Sequence, residues 1–297
     1  MAVSGKREWG GHSMVWPLER VLVYPPVSPA PDVAWQEFGY LRPMRHRQAV
    51  EEHAAFRQIL RDAGVKVLTG EIDDPMLQDA IFPFDPVFMT DAGAVLCRMG
   101  KPLRDAEVDL AEQTMAELNI PIAGRIEPPG MLEGGDCLWV DNRTLAIGRG
   151  YRTNDSGISQ MAAIMAGQGV DVIRVGLPHW NGPEECLHLL SLISMIDEDL
   201  AIVHLPLLDV GFIDLLRERG VQLLEIPENE FTTQAPNVLV TAPRRCVILR
   251  ENPLTAAMLE QAGCQVTLYT GNEISHNRTG GPTCLTRPIL RTPSTTC

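Results

Sequence analysis

The sequence predicts an α/β fold in which five repeated strand–helix–strand units close into one ring around a shared core. Three observations carry this expectation. A helix-forming stretch that ends on a small or turn-tolerant residue and runs into an apolar, β-branched segment recurs at 62–68, 118–122, 168–173, 219–224 and 262–268. The pivots of these segments, Gly64, Asn119, Gly169, Gly220 and Gly263, lie 43 to 55 positions apart, within the range of structural repeats. An apolar strand-like run also precedes each helix, at 20–24, 93–97, 144–148, 200–204 and 237–241, the last extending through 246–249.

Each element follows from local chemistry. The upstream runs are rich in Val, Ile and Leu and short enough for strands buried on both faces. The pivots read as helix ends closed by a residue that tolerates the left-handed conformation, and the apolar run after each reads as the next strand. One such unit cannot bury its own sheet faces, so five should share a core. The whole chain, 1–297, is therefore expected to form a single unit, with 1–18 as an N-terminal arm and the polar residues 292–297 as a frayed tail.

Composition excludes several function classes. The chain has 297 residues, 25 basic against 38 acidic, for a formal charge of −13, with 45 % hydrophobic residues. Such a balance repels polyanions at long range, so neither nucleic acid nor an anionic membrane face is an expected partner. The N-terminal stretch lacks a cationic start followed by an apolar core, and no apolar run reaches membrane-spanning length. The seven cysteines (Cys97, Cys137, Cys186, Cys246, Cys264, Cys284 and Cys297) form no C-x-x-C, which suits a reducing, cytoplasmic setting.

The segments between the units do not repeat, and they carry acids, imidazole and thiol among Gly and Pro: 81–86, 128–136, 183–188 and 277–284. Phosphate-loop, serine-hydrolase, zinc-protease and dinucleotide signatures are missing, leaving a cysteine with a distant histidine as the candidate chemistry. Cys97, Cys137, Cys246 and Cys264 sit in apolar strand patterns and read as packing; Cys186 and Cys297 also read most simply as structural. Cys284 follows Gly-Gly-Pro-Thr, a tight backbone suited to presenting a thiol at a loop tip. His188 precedes an apolar run and reads first as a core histidine, second as a partner. The motif LEGGD at 132–136 reads either as a solvated turn or as backbone that comes close to a ligand.

Taken in order, FPFD at 82–85, GAVLCRMGKPLRDAE at 93–107, LEGGDCL at 132–138, GRGYRTN at 148–154, CLH at 186–188 and GGPTCLT at 280–286 resemble the guanidino-modifying pentein superfamily. Its members include arginine deiminases, dimethylarginine dimethylaminohydrolases and amidinotransferases. The resemblance spans about 20–291. It implies a pentein α/β propeller of five ββαβ-type repeats around a central active-site cavity. It also implies cysteine-dependent hydrolysis of a guanidino C–N bond of arginine or an N-omega-substituted arginine, with no cofactor and no metal. The partner would be a small cationic guanidino amino acid, and the resemblance allows a homodimer.

By the same resemblance, Cys284 matches the nucleophile that forms an amidino-thioether and His188 the acid/base. Asp85 and Glu133 match carboxylates that grip the guanidinium, Asp79 the receiver of the α-amino group, and Arg104 and Arg152 the pair on the α-carboxylate; Phe82 lies in the substrate-binding segment. Two positions depart from the relatives. Leu190 stands where deiminases place an acid, and Phe84 where methylarginine hydrolases place a glutamate. If both point inward, the pocket would favour an N-alkylated guanidine. Transfer of the amidino group to an amine, dihydrolysis of arginine to ornithine and a non-enzymatic binding scaffold stand as the alternatives.

Overall fold

The computed structural model describes residues 7–30 and 33–293. Among the described residues, five three-stranded sheets account for every strand. The second unit is typical. Strand β3 (Val87–Thr90) pairs antiparallel with β4 (Gly93–Leu96), helix α2 (Ala106–Glu117) crosses over, and β5 (Ile122–Arg125) adds parallel to β4. The same order follows in β6 (Cys137–Asp141), β7 (Thr144–Arg149), α3 (Asp155–Ala166) and β8 (Asp171–Gly176). It recurs in β9 (Ile193–Asp197), β10 (Leu200–Val203), α4 (Val210–Glu218) and β11 (Gln222–Glu225), and in β12 (Leu239–Ala242), β13 (Arg245–Leu249), α5 (Pro253–Gln261) and β14 (Gln265–Tyr269).

The remaining unit closes the ring. Strand β1 (Leu18–Val23), helix α1 (His46–Asp62) and β2 (Lys66–Thr69) come from the start of the chain, and the antiparallel strand is β15 (Arg287–Arg291) from its end, with Leu22 opposite Arg287. The expected ββαβ repeat is thus present five times, with one copy assembled from both ends of the chain.

All five pivots have positive φ: Gly64 84°, Asn119 55°, Gly169 68°, Gly220 78° and Gly263 84°. After each, the next amide reaches back five residues to the helix, Val65 to Leu60, Ile120 to Met115, Val170 to Met165, Val221 to Leu216 and Cys264 to Leu259, at 2.9–3.3 Å. This is the hydrogen-bond pattern of a helix stop closed by a left-handed residue. The helices present one face to the sheets; in α1, Ala49, His53, Phe56 and Leu60 are buried at helical spacing.

One sequence expectation is corrected. The strand run at 237–249 is two strands, β12 and β13, paired antiparallel and joined through Arg244 at φ 59°. Pro243 and that left-handed residue turn the chain back, which apolar periodicity alone does not register. The residues expected to form an arm are tied down from Gly10 onward, where Gly10 N donates to Ile289 O at 2.8 Å and Arg291 N to Gly10 O at 2.9 Å. In the expected tail, Thr292 N donates to Pro17 O at 3.2 Å; residues 294–297, and with them Cys297, lie outside the described residues. Among the described residues no helix is long and apolar enough to cross a membrane.

Candidate active site

A cavity of about 300 Å³ opens at one end of the ring, lined by Asp79, Phe82, Asp85, Arg104, Arg152, His188 and Cys284 among others. Loops from all five units therefore converge there, which explains why the non-repeating segments carry the reactive side chains.

His188 sits where a 3-10 turn, Leu189–Ser191, begins. Both acids of the LEGGD motif serve it. Asp136 Oδ1 accepts Leu189 N at 3.0 Å, fixing the turn. Glu133 Oε2 accepts His188 Nε2 at 2.7 Å, fixing the ring. The glycine between them makes room: a Cβ on Gly135 would lie 2.4 Å from His188 Nδ1 and 2.8 Å from Asp85 Oδ1. The close approach that Gly135 permits is to the protein's own imidazole and carboxylate, and that of Gly134 is to the backbone of Phe84.

Glu133 stands behind the cavity wall, with both of its oxygens engaged by protein donors. Its side chain is fully buried, and its other oxygen, Oε1, accepts Gly100 N at 2.9 Å and Arg152 Nη1 at 3.3 Å. Burial opposes its charge, yet the hydrogen bond and charge of His188, with Arg152 and Arg104 nearby, outweigh burial and hold the carboxyl well below its usual range. Burial likewise disfavours an imidazolium at His188, but Cys186, Asp85 and Asp136 outweigh it and keep the ring's pKa well above the ordinary value. His188 is thus a charged member of a polar network, and the core-histidine reading does not hold.

Asp85 lines the cavity with Oδ1 bonded to Gly135 N at 2.9 Å and 3.9 Å from His188 Nδ1. Its Oδ2 accepts Arg104 Nη1 at 2.6 Å. Arg104 also makes paired bonds to Glu107 and donates to Phe82 O at 3.3 Å. Its guanidinium is therefore engaged by protein acceptors, whereas Arg152, which also lines the cavity, makes a single long bond, to Glu133 Oε1 at 3.3 Å. Asp79 accepts Tyr40 Oη at 2.8 Å and faces Lys101 Nζ at 3.8 Å. Phe82 forms part of the apolar wall.

Cys284 is partly buried in the cavity wall rather than presented at an exposed tip. Asn237 Nδ2 donates to its Sγ at 3.3 Å while Asn237 Oδ1 accepts Thr283 N at 3.0 Å. Burial first and Asp85 second push the thiol up to about 11, against a smaller opposite pull from His188.

Phe84 and Leu190 do not line this cavity. Both are 3 % exposed and pack in the apolar core, with Phe84 beneath the guanidinium of Arg287 at 3.7 Å. The apolar lining that would favour an N-alkyl guanidine is absent at these positions. Sequence reasoning also missed Cys186, whose Sγ is 3.5 Å from His188 Nδ1, and Asn237, which was read only as the start of a strand. The signal for Cys186 was its place two residues before His188 in a Pro-containing turn.

Asp85, Glu133 and His188 approach closely enough to share a cation. Their acceptor atoms are already taken by N–H donors, however, and Arg104 and Arg152 adjoin them, so the set fits an ion-paired network better than a metal centre.

A thiol, an imidazole and carboxylates thus meet around the cavity of a five-unit α/β propeller. The family model described as arginine deiminase matches residues 69–213. N(G),N(G)-dimethylarginine dimethylaminohydrolase of Pseudomonas aeruginosa is 28 % identical over 241 residues, covering 81 % of this chain and 88 % of its own length. Arginine deiminase of Listeria welshimeri is 24 % identical over 257 residues, 73 % of this chain and 63 % of that protein. Among solved structures, a cysteine-to-serine mutant of the Pseudomonas aeruginosa enzyme complexed with citrulline superposes with TM-score 0.74 at 24 % identity, covering 93 % of this chain and all of that one. The N-terminal domain of ArgZ, a cyanobacterial arginine dihydrolase, gives 0.78 at 18 %, covering 92 % and 97 %. The structural likenesses carry the fold. The fold is that of the pentein superfamily, and over the matched residues the chain is similar to its guanidino-group-modifying members.

Proposed function

We propose that this protein is a cysteine-dependent hydrolase of the guanidino C–N bond of arginine or an N-omega-substituted arginine. The observation that supports it is the joint placement of Cys284, His188 and Asp85 on one cavity wall, with Glu133 bonded behind His188. A planar cationic guanidinium fits the carboxylate of Asp85 through charge-assisted hydrogen bonds.

The resting thiol is neutral at pH 7, so it needs activation. A guanidinium about 4 Å away, at an effective dielectric near 20, favours the thiolate by roughly 4 kcal/mol, on the order of three pKa units. That brings a thiol at about 11 to about 8. The substrate's own charge activates its attacker.

The thiolate Sγ adds to the guanidinium carbon. His188, held protonated, gives its proton to the departing nitrogen, and the C–N bond breaks to release ammonia or an alkylamine. The carbon remains bound to Sγ as an amidino-thioether. Neutral His188 then takes a proton from water, whose oxygen attacks the same carbon. The C–S bond breaks, leaving a ureido product, citrulline from arginine, and a free thiol.

The test is incubation of purified protein with arginine, mono- and dimethylarginine and other guanidino compounds, assaying ammonia, alkylamine and citrulline together. Citrulline formation that Cys284→Ser abolishes supports the reading. Turnover retained in Cys284→Ser, or capture of a haloacetamidine probe at another cysteine, removes the mechanism. Ornithine plus a new guanidino compound, formed only when an amine is supplied, would point to transfer instead.

A further inference from the structure

The inner strand of every sheet, β15, β3, β6, β9 and β12, contributes to a second, smaller cavity of about 30 Å³. Because all five units line it, through residues such as Phe88, Trp139, Ser194, Val240, Arg287 and Arg291, this cavity lies on the pseudo-fivefold axis. Gly10, Gly11, Ser13 and Met14 line it as well. It shares no lining residue with the candidate active site.

Two of its walls are arginines. Arg287 and Arg291 are each 3 % exposed, and among the described residues neither has a carboxylate partner. Their hydrogen-bond acceptors are backbone carbonyls: Arg287 Nη2 donates to Phe84 O at 3.0 Å, and Arg291 Nη1 and Nη2 donate to Trp16 O and Val240 O at 2.5 and 2.7 Å. Arg287 Nε is buried without a partner. Two buried positive charges that share a cavity without a directly bonded anion are costly, because carbonyl dipoles satisfy hydrogen bonds without neutralising charge; Asp85, within electrostatic range of Arg287, offsets only part of the burial. Burial lowers both side chains' pKa values, and the charge of Arg287 lowers that of Arg291 further.

We propose that this axial cavity is a binding site for one small monovalent anion of the size of chloride, held between Arg287 and Arg291. The space suits that ligand. A cavity of about 30 Å³ exceeds the ~10–15 Å³ that one water needs, yet is too tight for a tetrahedral oxyanion. The hydroxyl of Ser13, which lines the cavity and accepts Val15 N and Trp16 N, is a further donor. The site would tie β15, the strand that closes the ring, to the other inner strands. Through the bond from Arg287 to Phe84 O it also backs the segment that carries Asp85.

The experiment uses the full-length protein exchanged into sodium gluconate and titrated with chloride, bromide or sulfate at constant ionic strength. Saturable ³⁵Cl line broadening with one site per chain, displaced by bromide and not by sulfate, is expected. Tm should rise with chloride as linkage to the folded state requires. Arg287→Met should remove the saturable broadening. Should that variant fail to fold, an anomalous bromide peak between Arg287 and Arg291 in crystals of the unsubstituted protein decides in favour. Non-saturable broadening with a Tm indifferent to anion identity, or saturable broadening that persists in a folded Arg287→Met protein, overturns the proposal.

Discussion

Glu133 Oε2 accepts a hydrogen bond from His188 Nε2 at 2.7 Å, with the carboxylate fully buried and the imidazole 5 % exposed. The pair holds a proton on the ring and fixes which edge of the ring meets the cavity. A protonated His188 begins the proposed reaction as an acid, so activity should fall as pH rises through its raised pKa. Glu133→Gln keeps the side-chain shape but removes the charge, which lowers the pKa of His188. The alkaline limb of kcat/KM should move toward neutral pH, with a loss at pH 7 on the order of 10²-fold. A limb that stays in place would mean that Glu133 acts only in packing.

The thiol of Cys284 lies at about 11 without substrate, and the attraction of a bound cation is its proposed activator. At pH 7, 2-chloroacetamidine should alkylate the protein faster than neutral 2-chloroacetamide by about 10²-fold or more, as roughly 4 kcal/mol of charge attraction allows. Comparing the two inactivation rates, with free cysteine as the control for intrinsic reactivity, measures the effect. Equal rates after that correction would contradict substrate-assisted ionisation.

Gly135 separates the two groups that meet over it. In Gly135→Ala the new methyl would overlap His188 Nδ1 and Asp85 Oδ1, both held in place by their own hydrogen bonds. Overpacking of this kind costs about 1–3 kcal/mol. Thermal unfolding should register that loss, and kcat should fall by more than the stability change explains, because the imidazole and the carboxylate are forced apart. Wild-type kcat in a folded Gly135→Ala protein would show that their close approach is incidental.

His53, on the buried face of α1, has an unpartnered Nε2 and a pKa pushed down to about 3, by burial first and Arg57 second. The unfolded chain takes up this proton near its ordinary 6.5, whereas the folded chain resists it. The stability linked to this group is therefore intact above 6.5 and is lost progressively as pH falls toward 3. Urea unfolding of His53→Leu at pH 7.5 and pH 5 should show a smaller acid-induced loss than the unsubstituted protein. Equal losses would place the acid sensitivity elsewhere.

Much of the fold was legible because its information is local. Each of the five pivots combines helix-forming residues, a residue tolerant of positive φ and a β-branched run. Those preferences act within about ten residues of sequence. The ordered motifs that resemble the pentein superfamily placed Cys284, His188, Asp85, Asp79, Phe82, Arg104 and Arg152 together, and all seven line the cavity. The hairpin at Arg244 was missed because a turn residue within an apolar run does not disturb its hydrophobic pattern.

By itself, then, the sequence determined the number of units, their closing residues and the loops that carry reactive side chains. Tertiary structure decided what each of those side chains faces. Glu133 turned out to hold His188, Phe84 to lie under Arg287, Leu190 to enter the core and Cys186 to meet His188. The reason is physical: a loop's composition sets which groups it carries, while their direction depends on partners 50 or more residues away, such as Glu133 for His188. Phe84 meets Arg287 because the last strand, β15, pairs with β1 and closes the ring.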